Sequence, residues 1–444
     1  MIEQIIKGEE VAATSIENRL KLSEQAYYGL AGEITKALSP YTEASPVAIL
    51  VQILVLVVMV VGRSGCWWVG GTAHYLNQYI LLVGSTALGR KGTSTNVVKH
   101  LLQFIAPDFC KGNFVSGIGS GEGIINRLRD SREKIDPKTQ KPIIDEGIAD
   151  KRLVAIEEEF SSILIVARRE SSILSATLRA AWDGKDLQTV VKNDPLYATE
   201  PFLSLIGHIT PREFSQLLTD LDINNGLLNR FIFLFVEKSK DLPFGGKIPS
   251  EIIEAFVPRL LHVISFGRGV EEMGFTSKAA ELWDQTYRLA NLPQGNEDHA
   301  AITARNLPII RRLACAYAIF DLKKDVDYPH LLAAIAIADY SSATCKVLLS
   351  KRKDKAEQKI LHALRNSSEG ISRTSLLKEV LKKNVPSEKL TEKLENLAKE
   401  GAIRKVSDYP ETWKIADANI SAPPYDPTTF TTFTTFTTKA GEAK

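Results

Sequence analysis

The stretch Tyr79-Ile-Leu-Leu-Val83-Gly84-Ser-Thr-Ala-Leu-Gly89-Arg90-Lys91-Gly92-Thr93-Ser94 restricts the fold of this chain more than any other. The apolar run from Tyr79 to Val83 reads as a buried strand. A Gly-rich turn follows, then a helix through Leu102. A strand, a glycine loop and a helix N-terminus in that order make a cradle whose backbone N–H groups face an anion. The usual spacing is G-x-x-x-x-G-K-[ST]. Gly84 and Gly89 keep it, but Arg90 stands at the lysine position, Lys91 comes one place late, and Gly92 separates it from Thr93. The loop points to a phosphate site and leaves open whether Arg90 or Lys91 meets the phosphate. The Lys91 register keeps a hydroxyl, Thr93 or Ser94, within reach of Mg²⁺.

The rest of the chain reads as α/β flanked by helical segments. With 444 residues, two to four domains are expected. Residues 1–72 read as a helical N-terminal region. Residues 73–246 alternate short apolar strands with helices, the pattern of a parallel sheet. Its strands are expected at Tyr79–Val83, Leu153–Ile156, Phe202–Ile206 and Phe231–Val236. Residues 247–350 read as a helical lid, with helices over Glu251–Ile264, Ser277–Ala290, Ala301–Phe320 and Tyr328–Leu349.

Beyond a charged hinge at Lys351–Lys355, residues 351–416 read as three helices and a short strand pair, the order of a winged helix. The whole chain has a formal net charge of +2. The 351–416 segment alone carries about +6, which marks it as a basic module that reads either as a DNA-binding element or as a protein dock. Residues 417–444 repeat Thr-Thr-Phe and read as a disordered tail.

Several classes are disfavoured. Cys66, Cys110, Cys315 and Cys345 are far apart and lack metal spacing. They read as reduced thiols of a cytoplasmic protein. The N-terminus has acids and no apolar core, unlike a signal peptide. The run Ala48–Gly62 is about 15 residues, short of the ~20 that span a bilayer, and Gln52 interrupts it. It reads as a buried helix, with no membrane partner expected.

A nucleotide hydrolase needs an acidic pair for metal and water, a polar sensor and an arginine for developing charge. The run Leu153-Val-Ala-Ile-Glu157-Glu158-Glu159 delivers carboxylates to a strand's C-terminal end, where ligands bind in α/β sheets. Glu157 is the candidate for holding Mg²⁺ through water and Glu158 for orienting the attacking water. A second strand ends in Gly207-His208-Ile209-Thr210-Pro211. His208 is the candidate sensor there, and Thr210 reads equally well as the cap of the helix starting at Pro211. Arg230, just before Phe231, reads either as a rigid arginine projecting across a subunit interface or as a surface arginine paired with a carboxylate. Lys192 falls near the tip of a hairpin pairing Gln188–Val191 with Leu196–Thr199, where a lysine can hold a DNA backbone. Arg305, ahead of a long apolar helix, is placed to reach the nucleotide from the helical lid.

The order of these pieces resembles the minichromosome-maintenance AAA+ helicases. The carriers are Leu178-Arg-Ala-Ala-Trp182-Asp183-Gly184 through Lys192, Leu228-Asn-Arg230-Phe231, and Ile302-Thr-Ala-Arg305-Asn-Leu307. They resemble, in turn, a pre-sensor hairpin, an arginine-finger motif and a second sensor. A closer resemblance is to a family of uncharacterised mobile-element and phage ATPases, often joined to primase-polymerase domains. Its motifs stand here as Thr86–Ser94, Ser120–Gly123, Glu157–Phe160, Ala181–Gly184, Ile206–Thr210 and Asn225–Phe231. The resemblance implies an AAA+-like P-loop NTPase core using ATP and Mg²⁺. It also implies DNA as partner, assembly as a homo-oligomer in a hexameric ring with Arg230 acting in trans, and helicase or translocase activity. The sequence departs from the helicases at the displaced Lys91, at Glu157 in place of Asp, and at His208 in place of Asn. Those departures leave open a second function, a nucleotide-switched DNA-binding loader or regulator with little hydrolysis. A non-nucleotide structural protein, its glycine loop only a turn, is a third reading.

Overall fold

A computed structural model describes residues 20–85, 89–135, 141–191, 194–292, 297–350, 355–367, 369–382, 384–399 and 401–416. Lys192 and the Thr/Phe tail fall outside them.

The chain up to Arg352 forms one compact unit, and the chain from Lys353 a second. At the centre of the first lies α1 (Pro46–Val61), in which every residue from Ala48 to Val61 is buried. A helix apolar on all sides has no face to offer water, so it must be surrounded. It packs against the helices Lys91–Ile105 and Val257–Arg268 and against two sheet strands. Pro46 opens it at the first turn, although Ser45 makes no side-chain capping bond, and Gly62 ends it at φ 101°.

This burial changes the expected domain plan. Residues before 72, the sheet and the helices after 246 all contribute to a single hydrophobic cluster. The boundaries expected at 72 and 246 are therefore not divisions of the packing.

The sheet has five parallel strands: β1 (Tyr79–Val83), β2 (Phe114–Val115), β3 (Arg152–Glu157), β4 (Phe202–Ile209) and β5 (Phe231–Phe235), in spatial order β5-β1-β4-β3-β2. β1 and β4 are buried along their whole length, as near-continuous apolar runs covered on both faces should be. In register, Tyr79 lies opposite Leu205 and Phe231, Leu82 opposite His208, and Gly207 opposite Glu157. The C-terminal ends of β1, β4 and β3 thus lie side by side. β4 runs to Ile209, past the expected Ile206. The two-residue β2 and the hairpins Cys66–Val69/Thr72–Tyr75 and Arg132–Ile135/Pro142–Asp145 carry too weak an apolar pattern to read from sequence.

Two of the expected lid helices are broken. Glu251–Ile264 is two helices, Ser250–Glu254 and Val257–Arg268, and Ala301–Phe320 is Glu297–Thr303 followed by α3 (Asn306–Phe320). Arg305 sits in the second break, at the N-cap of α3. Helix α4 (Tyr328–Ser350) is long and apolar enough to cross a membrane, and 72% of its apolar window is buried inside the protein.

The second unit runs α5 (Lys355–Arg365), β6 (Ile371–Ser372), helical turns over 373–380, α6 (Ser387–Lys399), β7 (Ile403–Asp408) and β8 (Glu411–Ile415). The strands form an antiparallel sheet with β8 in the middle. Its own core gathers Ile360, Leu364, Leu376, Leu390, Leu394 and Trp413.

Candidate functional site

The loop after β1 is built around two glycines that no other residue can replace without displacement. A Cβ on Gly84 would lie 2.3 Å from the Val236 carbonyl oxygen, and one on Gly89 2.7 Å from that of Ser85. Gly84 N donates to Ile209 O at 3.1 Å, and Val236 N to Val83 O at 2.8 Å, so the loop grows directly out of the sheet. Arg90 then takes a left-handed conformation, φ 44°, and α2 (Lys91–Ile105) begins.

The two cations of the loop part company here. Lys91 folds back, its Nζ donating to Gly84 O at 2.6 Å. Burial lowers its pKa, partly offset by the carboxylate of Glu213. Arg90 turns away and pairs with Glu43 at 2.7 Å. Glu43 in turn accepts the Leu242 N–H at 2.8 Å. Lys91 is the cation that addresses the loop, and Arg90 fastens it to the rest of the unit.

The hydroxyls sort differently from expectation. Thr93 is exposed, while Ser94 and Thr95 are buried. At 100° per residue Thr93 lies well round the helix from Lys91, whereas Thr95, one turn on, shares its face. Thr95, Asn96 and Lys99 line a polar cavity of about 560 Å³ with Phe114 to Gly117 and Ile156 to Glu158. Thr93, the expected metal hydroxyl, is exposed and does not line this cavity, and Thr95 is the hydroxyl that shares it with Glu157 and Glu158. Ser94 Oγ donates to Lys91 O at 2.7 Å. Gly92 has nothing within 4 Å of a would-be Cβ.

The acids occupy distinct positions. Glu157 is 4% exposed, and its Oε1 accepts the Ile118 N–H at 2.8 Å. Burial raises its pKa, opposed by the N–H groups of Ile118 and Gly117. Its carboxylate therefore braces the 116–118 loop. Glu158 is exposed at the cavity wall and is the acid free to act there.

His208 sits between the glycine loop and the acids, at the end of β4. It is 3% exposed, and its Nε2 lies 3.3 Å from Thr95 Oγ1. Burial, reinforced by the Lys91 charge, pulls its pKa down to about 4, so its ring is neutral near pH 7. Thr210 is spent on its helix: its hydroxyl accepts the Glu213 N–H in a full capping box. That leaves His208 as the only one of the two free for a sensing role.

Arg230 and Arg305 lie at the opposite edge. Arg230 is 4% exposed and grips Asp183 with Nη2 at 2.9 and 3.1 Å and Nε at 3.3 Å. Arg305 approaches the same carboxylate at 3.8 Å. Arg312, fully buried, stacks 3.7 Å above Trp182 and donates to Asn77 O and Trp182 O. Phe231, next to Arg230, pairs with Tyr79 at the start of β1. Gly84 is therefore some five residues, about 17 Å, further along the strand. The expectation that Arg305 reaches its own chain's nucleotide is corrected, since it stands beside Arg230 at the far edge of the sheet. Arg230 pairs a carboxylate, as one of its two readings had it, but it does so buried rather than at the surface, held by Asp183.

Two hairpins are bound together beside this edge. The expected 188–199 hairpin pairs Leu187–Gln188 with Tyr197–Ala198. Asp130 N donates to Tyr197 O at 2.8 Å, and Arg132 reaches Asp194 at 2.7 Å, tying it to the Arg132–Asp145 hairpin. Lys192 itself lies outside the described residues.

At the end of β5, Tyr27, Val47, Phe235 and Tyr340 line a largely apolar cavity of about 530 Å³. Among the described residues no cluster of three or more His, Cys, Asp or Glu could hold a metal by itself. Sequence reasoning passed over Thr95, Asp183 and Arg312, and noted Gln52 only as an interruption. Its signal was present: it is the one polar residue in an otherwise apolar run. No family model and no curated protein matches the chain.

Proposed function

We propose that this chain is an AAA+-like P-loop ATPase acting on DNA, a helicase or translocase serving replication of a mobile element or phage. One observation carries the reading. Insertion of β4 between β1 and β3 sets the glycine loop, His208 and the Glu157–Glu158 pair side by side at one sheet edge. Ligands of α/β sheets bind outside the carboxyl ends of the strands. Phosphoryl transfer rests on positioning and charge at such a point.

In this reading the N–H groups of the Gly84–Gly89 loop and of α2 cradle phosphates, and Lys91 exchanges the Gly84 carbonyl for β- and γ-phosphate oxygens. The apolar cavity at the end of β5 takes the base. Glu158 orients the attacking water, and His208 senses phosphate indirectly, through its contact with Thr95 in the first turn of α2. Glu157 and Glu158 are the residues that would hold Mg²⁺, through water, and the metal would supply neutralisation of phosphate charge. The acids fit that role: Glu158 stands exposed on the cavity wall, and Glu157 lies beside it.

Arg230, and Arg305 beside it, act from a neighbouring subunit in a homo-oligomer, a hexameric ring, after release from Asp183. The second unit follows the helix–strand–helix–helix–strand–strand order of a winged helix, which with the Lys192 hairpin supplies DNA-backbone contacts. A primase-polymerase partner and a cytoplasmic location complete the proposal.

Steady-state ATP hydrolysis with and without single-stranded DNA tests it. Stimulated turnover, abolished in Glu158→Gln, is expected; turnover unchanged in Glu158→Gln overturns the assignment. A second reading is a nucleotide-switched DNA-binding loader with little hydrolysis. The missing hydroxyl at Gly92 and the engagement of Glu157 with the 116–118 loop favour it. Tight ATP binding without turnover, with DNA affinity changing between nucleotide states, would establish that reading instead.

A further inference from the structure

Gln52 is fully buried in the middle of α1, where an unpaired amide would be costly. Its partners determine its orientation. Nε2 lies 3.1 Å from Ala48 O, a backbone carbonyl that can only accept, so this end of the amide is the nitrogen. The same nitrogen reaches Ser94 Oγ at 3.0 Å. Ser94 spends its own proton on Lys91 O and is free to accept. Oε1 therefore faces Thr95, and at 2.9 Å it accepts the Thr95 hydroxyl proton. Lys91 O, at 3.4 Å, is the other acceptor near that proton, but it is farther than Oε1 and already takes the Ser94 proton; with the Thr95 proton on Oε1, Thr95 Oγ1 accepts from His208 Nε2.

We infer that Gln52 is a positioning residue which, through Ser94 and Thr95, locks the first turn of α2 and compels His208 to carry a proton on Nε2. The chain of directions runs from one backbone carbonyl to the imidazole without a free rotor. It leaves Nδ1 as the unprotonated ring nitrogen. It also accounts for a polar residue in a helix whose every other buried side chain is apolar. The hydrogen-bond directions stand independently of any chemistry. The catalytic consequence rests on the ATPase reading: in the other tautomer His208 Nε2 would no longer donate to Thr95, and the first turn of α2 would lose that tie to the end of β4.

The test is the tautomer itself. Full-length protein with ¹⁵N-labelled histidine, His208 assigned by comparison with His208→Gln, is examined by long-range ¹H–¹⁵N correlation near pH 7. The native protein is expected to show the Nε2–H form of His208. Gln52→Met keeps the volume and releases the Thr95 proton, and Thr95→Val removes the acceptor; both should shift His208 toward Nδ1–H. Native His208 found as Nδ1–H, or an unchanged tautomer in both variants, overturns the inference. Native protein needs no folding control, so the first outcome decides even if a variant fails to fold. In the ATPase assay, Gln52→Met should lower kcat about 10–100-fold, as loss of an orienting partner does, with KM for ATP held. A native protein that shows Nε2–H but no turnover refutes the ATPase reading while leaving the positioning role intact.

Discussion

The glycine loop offers a sharp steric test, because two of its glycines differ in what surrounds them. Replacing Gly84 by Ala places a methyl 2.3 Å from Val236 O and 3.1 Å from Gly89 Cα, both backbone atoms. Ordinary contact between such atoms begins near ~3.4 Å, so β5 and the loop must part by about 1 Å. Overpacking of that kind costs about 1–3 kcal/mol. Straining the Gly84–Ile209 and Val236–Val83 hydrogen bonds adds about 1 kcal/mol each. The expected loss is about 3–5 kcal/mol, together with a displaced phosphate loop. Gly92→Ala is the control. Its methyl meets nothing within 4 Å, and it lies in the first turn of α2. Exchanging Gly for Ala in a helix stabilises it by up to about 1 kcal/mol. Denaturant midpoints followed by far-UV circular dichroism, with nucleotide affinity by calorimetry, read both effects. Gly84→Ala should fall in stability and lose nucleotide affinity, while Gly92→Ala should hold or gain stability. Equal behaviour of the two variants refutes the loop geometry.

Further outcomes follow from the buried groups. His208 has its pKa lowered from 6.5 to about 4 by burial and by Lys91. Between those values the unfolded chain binds the proton and the folded one does not, so stability is full above pH 6.5 and lost as pH falls toward 4. At 1.36 kcal/mol per unit the group contributes up to about 3 kcal/mol, and the difference in unfolding free energy between native protein and His208→Gln should shrink by about that much from pH 7 to 4.5. A pH-independent difference would contradict it. Asp183→Ala strands buried Arg230 beside Arg305 and Arg312 and should cost about 3–5 kcal/mol by denaturant unfolding. A loss under about 1 kcal/mol would show that Asp183 does not hold the cluster.

Much of this arrangement was legible in the chain because it is local. β1 and β5 are unbroken apolar runs, and an apolar run between turn signals can hardly be placed elsewhere than in a buried sheet. The all-apolar α1 likewise announced its own burial. What pattern alone could not supply was depth of partnership. Arg230 reads the same whether it meets solvent or Asp183, and that carboxylate is 47 residues away in sequence. Thr93 and Thr95 are equally good hydroxyls until the start of α2 is known, and that start depends on Arg90 turning toward Glu43. The weak strands escaped because two-residue β2 is held by its neighbour β3 and has no periodicity of its own. The lid breaks between Thr303 and Asn306 because Pro308 has no N–H to give Ala304 O and its ring crowds that carbonyl, a breaker passed over in reading 301–320 as one helix.

The central claim is that Gly84 to Lys91 binds the phosphates of a nucleotide. Isothermal titration of the full-length chain with a non-hydrolysable ATP analogue and Mg²⁺, native against Lys91→Ala and Arg90→Ala, tests it directly. The account predicts binding by the native protein, a loss of about tenfold or more in Lys91→Ala as a charge-assisted contact disappears, and a smaller effect in Arg90→Ala, whose partner is Glu43. No binding by the native protein, or equal affinity in Lys91→Ala, would contradict it.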